Sequence, residues 1–221
     1  MTVDLPAVRR AFGTYRGAPV GTRAFVAARY MVAPLGPLAD ELHGKTGLVL
    51  SLGSGLCMLE RYLAELEPGL TFEGIDLDQA KVDLISATHA RSPRVSLDHG
   101  DATAVERPGR YDVVLVCDAF HHFPPDLHAV VAQAVADALK PGGVALVKDL
   151  DVGPAWKYHW NRLHDRLVAG PEPITCRSPR QMGVLLTDAG LVVERADRTD
   201  HKITPYAHYL VRARKPAASP Q

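Results

Sequence analysis

The residues best placed to do chemistry begin where an apolar run breaks. Leu48-Val49-Leu50-Ser51-Leu52 leads into Gly53-Ser54-Gly55 and then into helical spacing. Two glycines allow a sharp turn and close approach of the backbone, and the first turn of a helix offers unpaired N–H donors. The run therefore reads as a buried parallel strand that delivers a nucleotide-like ligand to a helix N-terminus. Further on, Phe72-Glu73-Gly74-Ile75-Asp76 reads as a second short strand. It ends in an acid at the spacing, about twenty residues, where a ribose diol would meet a carboxylate. A dinucleotide fingerprint would need a third glycine where Met58 stands, so nothing here cradles a pyrophosphate.

Open parallel sheets bind ligands just past the carboxyl ends of their strands. Tyr111-Asp112-Val113-Val114-Leu115-Val116-Cys117 is such a strand, and Asp118, Phe120, His121 and His122 follow it. An unperturbed imidazole titrates near ~6.5, so His121 or His122 could take a proton at neutral pH. Adjacency drives the two side chains apart. One is expected to point inward, while the other caps the following helix or packs under Phe123-Pro124. Lys148-Asp149-Leu150-Asp151 then puts charges where the chain leaves the sheet, with Asp149 a candidate contact for a polar acceptor.

Residues 156–167 read as a helix. Trp156, Trp160, Leu163 and Leu167 share one face, and Lys157, Asn161 and His164 share a neighbouring one. Such a helix either packs its apolar stripe on the core or serves as a lid. In the second case its aromatics hold a flat or apolar acceptor, with Lys157 or His164 at the polar end. His208 could reach the same place from the last strand.

Taken in order with His99-Gly100-Asp101-Ala102-Thr103 and Leu139-Lys140-Pro141-Gly142-Gly143-Val144, these segments resemble the class I S-adenosylmethionine-dependent methyltransferases. The likeness is strong over residues 46–151. It implies S-adenosyl-L-methionine as cofactor, with Gly53, Ser54 and Gly55 beside the methionyl part and Asp76, followed by Leu77, at the ribose. It also puts Asp101 and the backbone of Ala102 at the adenine amino group, and Cys117 and Asp118 beside the sulfonium and the substrate. Asp118, His121 and His122 are then the catalytic candidates, and Trp156, Lys157, Trp160, Asn161, His164 and Asp149 the substrate contacts. The sequence departs from the family pattern twice: an acid is usual where Ser51 stands, and a third glycine where Cys57 stands. A serine can still meet the methionyl ammonium, directly or through water.

Strands and helices alternate from residue 46 onward, the pattern of a parallel sheet with helices on both faces. The expected fold is α/β: a doubly wound, mostly parallel seven-stranded sheet with a C-terminal antiparallel hairpin and N-terminal capping helices. Leu56, Leu59, Leu63 and Leu66 form one helical stripe, and a second helix starts at Asp78. A third runs between Asp126 and Lys140 until Pro141-Gly142-Gly143 stops it. Before the sheet, Phe25, Val26, Tyr30, Met31 and Leu35 mark a helix from about Gly21, interrupted by Pro34 and Pro37. It either covers a substrate pocket or packs on a sheet edge. Residues 1–215 are expected to form one domain. Its parts are a cap (1–45), a cofactor-binding core (46–151), lid helices (152–190) and the terminal hairpin (191–215), and residues 216–221 form a disordered tail.

The chain of 221 residues, 47% of them hydrophobic, can bury one sizeable core, and 25 basic residues balance 25 acidic ones. No global positive field draws nucleic acid, and no run of apolar residues is long enough for a membrane span. Three widely spaced cysteines fit reduced thiols rather than a disulfide frame or metal site, so a cytoplasmic protein without a metal is expected. A homodimer is left open. The expected activity is methyl transfer to a small or lipid-like acceptor, at oxygen. RNA or protein methylation, or a binding-only regulatory protein of the same fold, is the alternative.

Overall fold

The computed structural model describes residues 3–105, 107–168, 174–199 and 205–217. The last tail residues, 169–173 of the lid region and 200–204 of the hairpin connection lie outside them. Seven strands form one sheet: β1 (Gly47–Leu52), β2 (Leu70–Asp76), β3 (Val95–His99), β4 (Tyr111–Cys117), β5 (Leu139–Leu150), β6 (Val192–Arg198) and β7 (His208–Arg214). Their order is β3-β2-β1-β4-β5-β7-β6. The β1–β2, β2–β3 and β4–β5 pairs are parallel, and β7 runs antiparallel to both β5 and β6. This is the expected doubly wound sheet with a C-terminal hairpin. Among the described residues no helix is long and apolar enough to cross a membrane.

The chain divides into two compact units, residues 1–102 and 103–221. In the first, β1 and β2 run level, with Ser51 beside Gly74 and Leu52 beside Ile75. The Gly53 N–H continues this ladder to the Ile75 carbonyl at 2.8 Å, so the turn after β1 lies against the end of β2. Helix α4 (Met58–Leu66) follows, burying Leu59 and Leu63, and α5 (Gln79–Thr88) is capped by the Asp78 carboxylate on the Ala80 N–H.

The expected N-terminal helices are three among the described residues: α1 (Leu5–Gly13), α2 (Val20–Val32) and α3 (Gly36–Leu42). Pro37 does not break a helix here. It sits in the first turn of α3, where its missing N–H would have had no partner. Asp4 caps α1 through the Ala7 N–H, a signal hidden behind Pro6 in the sequence. The region is tied to the glycine turn by two buried tyrosines. Tyr15 donates to the Leu56 carbonyl at 2.6 Å and Tyr30 to the Met58 carbonyl at 2.7 Å.

In the second unit, β4 and β5 are buried on both faces, as their unbroken apolar runs require. Helix α6 (His128–Ala138) ends earlier than its apolar stripe suggested, because Leu139 already belongs to β5. Pro141-Gly142-Gly143 therefore lies in the opening of the strand and is not the helix stop. Helices α7 (Ala155–Val168) and α8 (Pro179–Asp188) precede the hairpin, α8 beginning with a capping box from Ser178 and Gln181.

Candidate functional site

The chemistry of the first unit gathers past the carboxyl ends of β1 and β2. Gly53, Gly55 and Cys57 all take left-handed backbone angles, with φ of 70°, 56° and 51°. A glycine at position 57 would adopt this angle without strain; Cys57 pays for it with a fully buried thiol that packs the turn. Ser54 donates to the Ser51 carbonyl at 2.9 Å, and Gly74 in β2 is needed because a Cβ there would collide with the Ser54 side chain. Asp76 is fixed by this turn: the Gly55 N–H donates to its Oδ2 at 2.7 Å, and the Asp78 N–H to its Oδ1 at 3.0 Å. A Cβ at Gly55 would meet nothing within 4 Å, so the turn borders open space there, and Lys81 Nζ lies 3.3 Å from Asp76 Oδ1.

Behind the turn, Ser51 is buried and donates a 2.5 Å hydrogen bond to Oε1 of Glu60 in α4. Burial pushes the Glu60 carboxyl up to about 7. The neighbouring Arg61 is also fully buried. It bonds Thr14 at 3.0 Å and Thr88 at 2.7 Å and lies over the Tyr15 ring. Leu77 is exposed, as is Asp101, whereas Ala102 is buried.

In the second unit the chain turns sharply after Cys117, with Asp118 at φ 51° and its N–H bonded to the Lys148 carbonyl. Lys148 is almost fully buried and donates to Asp118 Oδ1 at 2.7 Å; His208 Nε2 lies 3.6 Å from the same oxygen. His121 and His122 share a 3-10 turn, so their rings do not splay as an extended loop would demand. They lie 4.1 Å apart at a 44° tilt, with His121 buried and His122 exposed. His121 Nδ1 is hydrogen-bonded to Asp149 Oδ1, an oxygen that also accepts from the Leu150 N–H. An ionised carboxylate can only accept, so Nδ1 carries the proton and Nε2 is the basic atom of the ring. His128 contrasts with it. It receives Arg177 Nε on Nδ1 at 2.6 Å and so turns Nε2–H to the Phe123 carbonyl, and burial lowers its pKa. It is a neutral packing histidine.

Helix α7 does not pack its apolar stripe on the core, the first of the two expected arrangements. Trp156, Trp160, Leu163 and Leu167 are 58%, 42%, 54% and 77% exposed, whereas Lys157 and Asn161 are 3% and 2% exposed. Asn161 Nδ2 donates to the Ala207 carbonyl at 2.9 Å, and His164 stacks edge-on against Tyr206 at 5.2 Å. Tyr206 in turn lies 6.1 Å from His208. The polar stripe thus packs toward the start of β7, and Tyr206 joins a row that periodicity could not reveal. Another residue missed by sequence reasoning is Tyr209, whose buried hydroxyl has no hydrogen-bond partner among the described residues and lies near Asp149.

Known proteins resemble this chain in sequence and in fold. Residues 49–143 match a methyltransferase domain family. The chain is 31% identical over 172 residues to the ubiquinone biosynthesis O-methyltransferase of Pseudomonas paraeruginosa, covering 70% of this chain and 69% of that protein. It is 33% identical over 107 residues to the Paraburkholderia xenovorans protein of the same name, covering 47% and 43%. Against several such curated relatives the chain spans about half their length. A solved S-adenosylmethionine-dependent methyltransferase from Methanosarcina mazei shares its fold, with a TM-score of 0.65 at 18% identity over 82% of this chain and 98% of that one. A glycine turn with an acid-ended second strand, followed by an aligned run of relatives, places the chain in the class I S-adenosylmethionine-dependent methyltransferase family.

Proposed function

We propose that this chain transfers a methyl group from S-adenosylmethionine to a hydroxyl of a small or lipid-like acceptor, with His121 as the base. The observation that carries the reading is the buried pair of His121, on the turn after β4, and Asp149, at the end of β5. The donor set of the first unit fits the family's cofactor: Asp76, held by the Gly55 N–H, retains acceptor capacity for a diol, and the turn borders open space at Gly55. In this reading Gly53, Ser54 and Gly55 lie along the methionyl part, Asp76 and Leu77 at the ribose, and Asp101 and Ala102 at the adenine.

When bound, the cofactor supplies an electrophilic methyl carbon on a good leaving group. Residues of the second unit have three tasks. His121 Nε2 takes the hydroxyl proton as oxygen bonds to the methyl carbon and the carbon–sulfur bond breaks, and Asp149 holds the ring in the required tautomer and stabilises the imidazolium that forms. Lys148 neutralises Asp118, so that the acid after Cys117 is held in place beside the acceptor. His164 of α7, with Tyr206 and His208, offers polar contacts that align the acceptor, the buried Lys157 and Asn161 hold the helix that carries it, and alignment is most of what such a displacement requires.

Methylation at oxygen is supported by the name of the curated relatives and by the presence of a base, which a more readily methylated soft nucleophile would not need. The proposal takes the enzyme as cytoplasmic, acting alone or as a homodimer. Incubation of the purified protein with S-adenosylmethionine and a panel of phenols and alcohols tests it. Mass spectrometry should find S-adenosylhomocysteine and a methyl ether in equal amounts. Methylation confined to amines, RNA or protein in the same assay would reject the acceptor class.

A further inference from the structure

The acid that the family places at the end of β1 is a serine here, yet a carboxyl group has not left the region. Ser51 Oγ donates to Glu60 Oε1 across 2.5 Å, and Glu60 Oε2 is buried with no hydrogen-bond partner among the described residues. A buried acceptor without a partner is costly, and such an atom persists where something else satisfies it. Arg61 makes no hydrogen bond to it: its two terminal nitrogens bond Thr14 and Thr88, and its Nε is buried without a hydrogen-bond partner among the described residues. The other groups that face Glu60 are Cys57 on the turn, Asp76 from β2, Tyr15 after α1 and Tyr30 of α2, and both tyrosine hydroxyls are engaged with the backbone carbonyls of Leu56 and Met58.

We propose that Glu60 holds the α-ammonium group of S-adenosylmethionine, taking over from α4 the role that an acid at position 51 would have. Ser51 and Glu60 then form one hydrogen-bonded unit in which serine positions the carboxyl and the carboxyl meets the cation. The inference rests on the family's cofactor. Without ligand the buried carboxyl keeps its proton up to about pH 7. An ammonium group against it favours the anion, so Glu60 gives a proton to solvent as the charge-assisted pair forms. Cofactor binding is therefore coupled to proton release.

Calorimetry of ligand binding to the purified chain tests this, between pH 6 and pH 8 and in two buffers of different ionisation heat. For the parent, S-adenosylmethionine affinity should rise by up to about tenfold per pH unit below pH 7, with proton release, and then level off. 5′-Methylthioadenosine, which has the nucleoside and sulfur without the amino-acid end, should bind with no such dependence. Glu60→Gln should weaken S-adenosylmethionine by about tenfold to a hundredfold at pH 8, remove the proton release and leave 5′-methylthioadenosine unchanged. The exchanged pair Ser51→Asp with Glu60→Ser returns the carboxylate across the same hydrogen bond and should recover S-adenosylmethionine affinity. Unaltered S-adenosylmethionine binding by Glu60→Gln, equal loss of both ligands, or an exchanged pair that binds only 5′-methylthioadenosine would each overturn the proposal. A parent chain that binds neither ligand would instead remove the cofactor assignment, and this inference with it.

Discussion

His121 and Asp149 meet through Nδ1 and Oδ1, and both side chains are all but closed to solvent. Asp149 closes β5 one residue before its end, and His121 stands on the turn after β4. The two strands pair in parallel, with Cys117 beside Lys148, so their register brings the next residues of each together. The carboxylate accepts from the imidazole and from the Leu150 N–H, which holds the ring in the tautomer with its proton on Nδ1.

Asp76 should matter to cofactor binding. Asp76→Ala removes the acceptor held by the Gly55 N–H, and calorimetry should show S-adenosylmethionine weakened by about 1–3 kcal/mol. Unchanged affinity would take the ribose away from this carboxylate.

The cysteines should differ in reactivity. Cys57 is fully buried and its thiol is pushed up by that burial, whereas Cys117 and Cys176 are half-buried. Iodoacetamide labelling of the native chain followed by peptide mapping should modify Cys57 last, and rapidly only after unfolding. Early labelling of Cys57 would mean that the turn opens readily.

Helix α7 should be anchored by its polar face. Asn161→Ala removes one of the two donors to the buried Ala207 carbonyl, the Asp151 N–H being the other, and should cost about 0.5–1.5 kcal/mol in denaturant unfolding. Trp160→Ser, on the exposed face, should stay within about 0.5 kcal/mol of the parent. The reverse ranking would contradict the packing of this helix.

Glu60 should also mark the pH dependence of stability. Its folded pKa of about 7 lies above the ordinary 4.5, so the stability it contributes is fully present below pH 4.5 and is lost as pH rises through 7. That loss is about 3 kcal/mol by linkage. Thermal unfolding across this window, without cofactor, should show the parent losing stability relative to Glu60→Gln. Parallel curves would mean that Glu60 titrates as an ordinary surface acid.

Much of the fold was legible because periodicity and turn chemistry agree along the core. The β1 turn, the acid ending β2, the Asp78 cap and the terminal hairpin each leave a local mark in the sequence. The N-terminal helices were harder to read, since Pro37 breaks a helix or begins one according to a context that the sequence alone does not show. The face of α7 stays open in the sequence for a related reason. Periodicity separates an apolar stripe from a polar one but does not say which turns inward, and here Asn161 and Lys157 do. The His121–Asp149 pair joins residues 28 apart through strand register, and the Ser51–Glu60 bond joins a strand to the next helix. Neither partnership has a spacing of its own to recognise.

The most direct test of the account is single-turnover methyl transfer to an alcohol or phenol that the panel shows to be an acceptor, with the cofactor bound beforehand, by the parent and by His121→Ala. The account predicts that His121→Ala transfers about a hundredfold to ten-thousandfold more slowly while binding S-adenosylmethionine as the parent does. The parental rate should also fall on acidification as the imidazole takes up a proton. Transfer by His121→Ala at the parental rate, with no loss of rate in acid, would contradict the role given to His121 and Asp149.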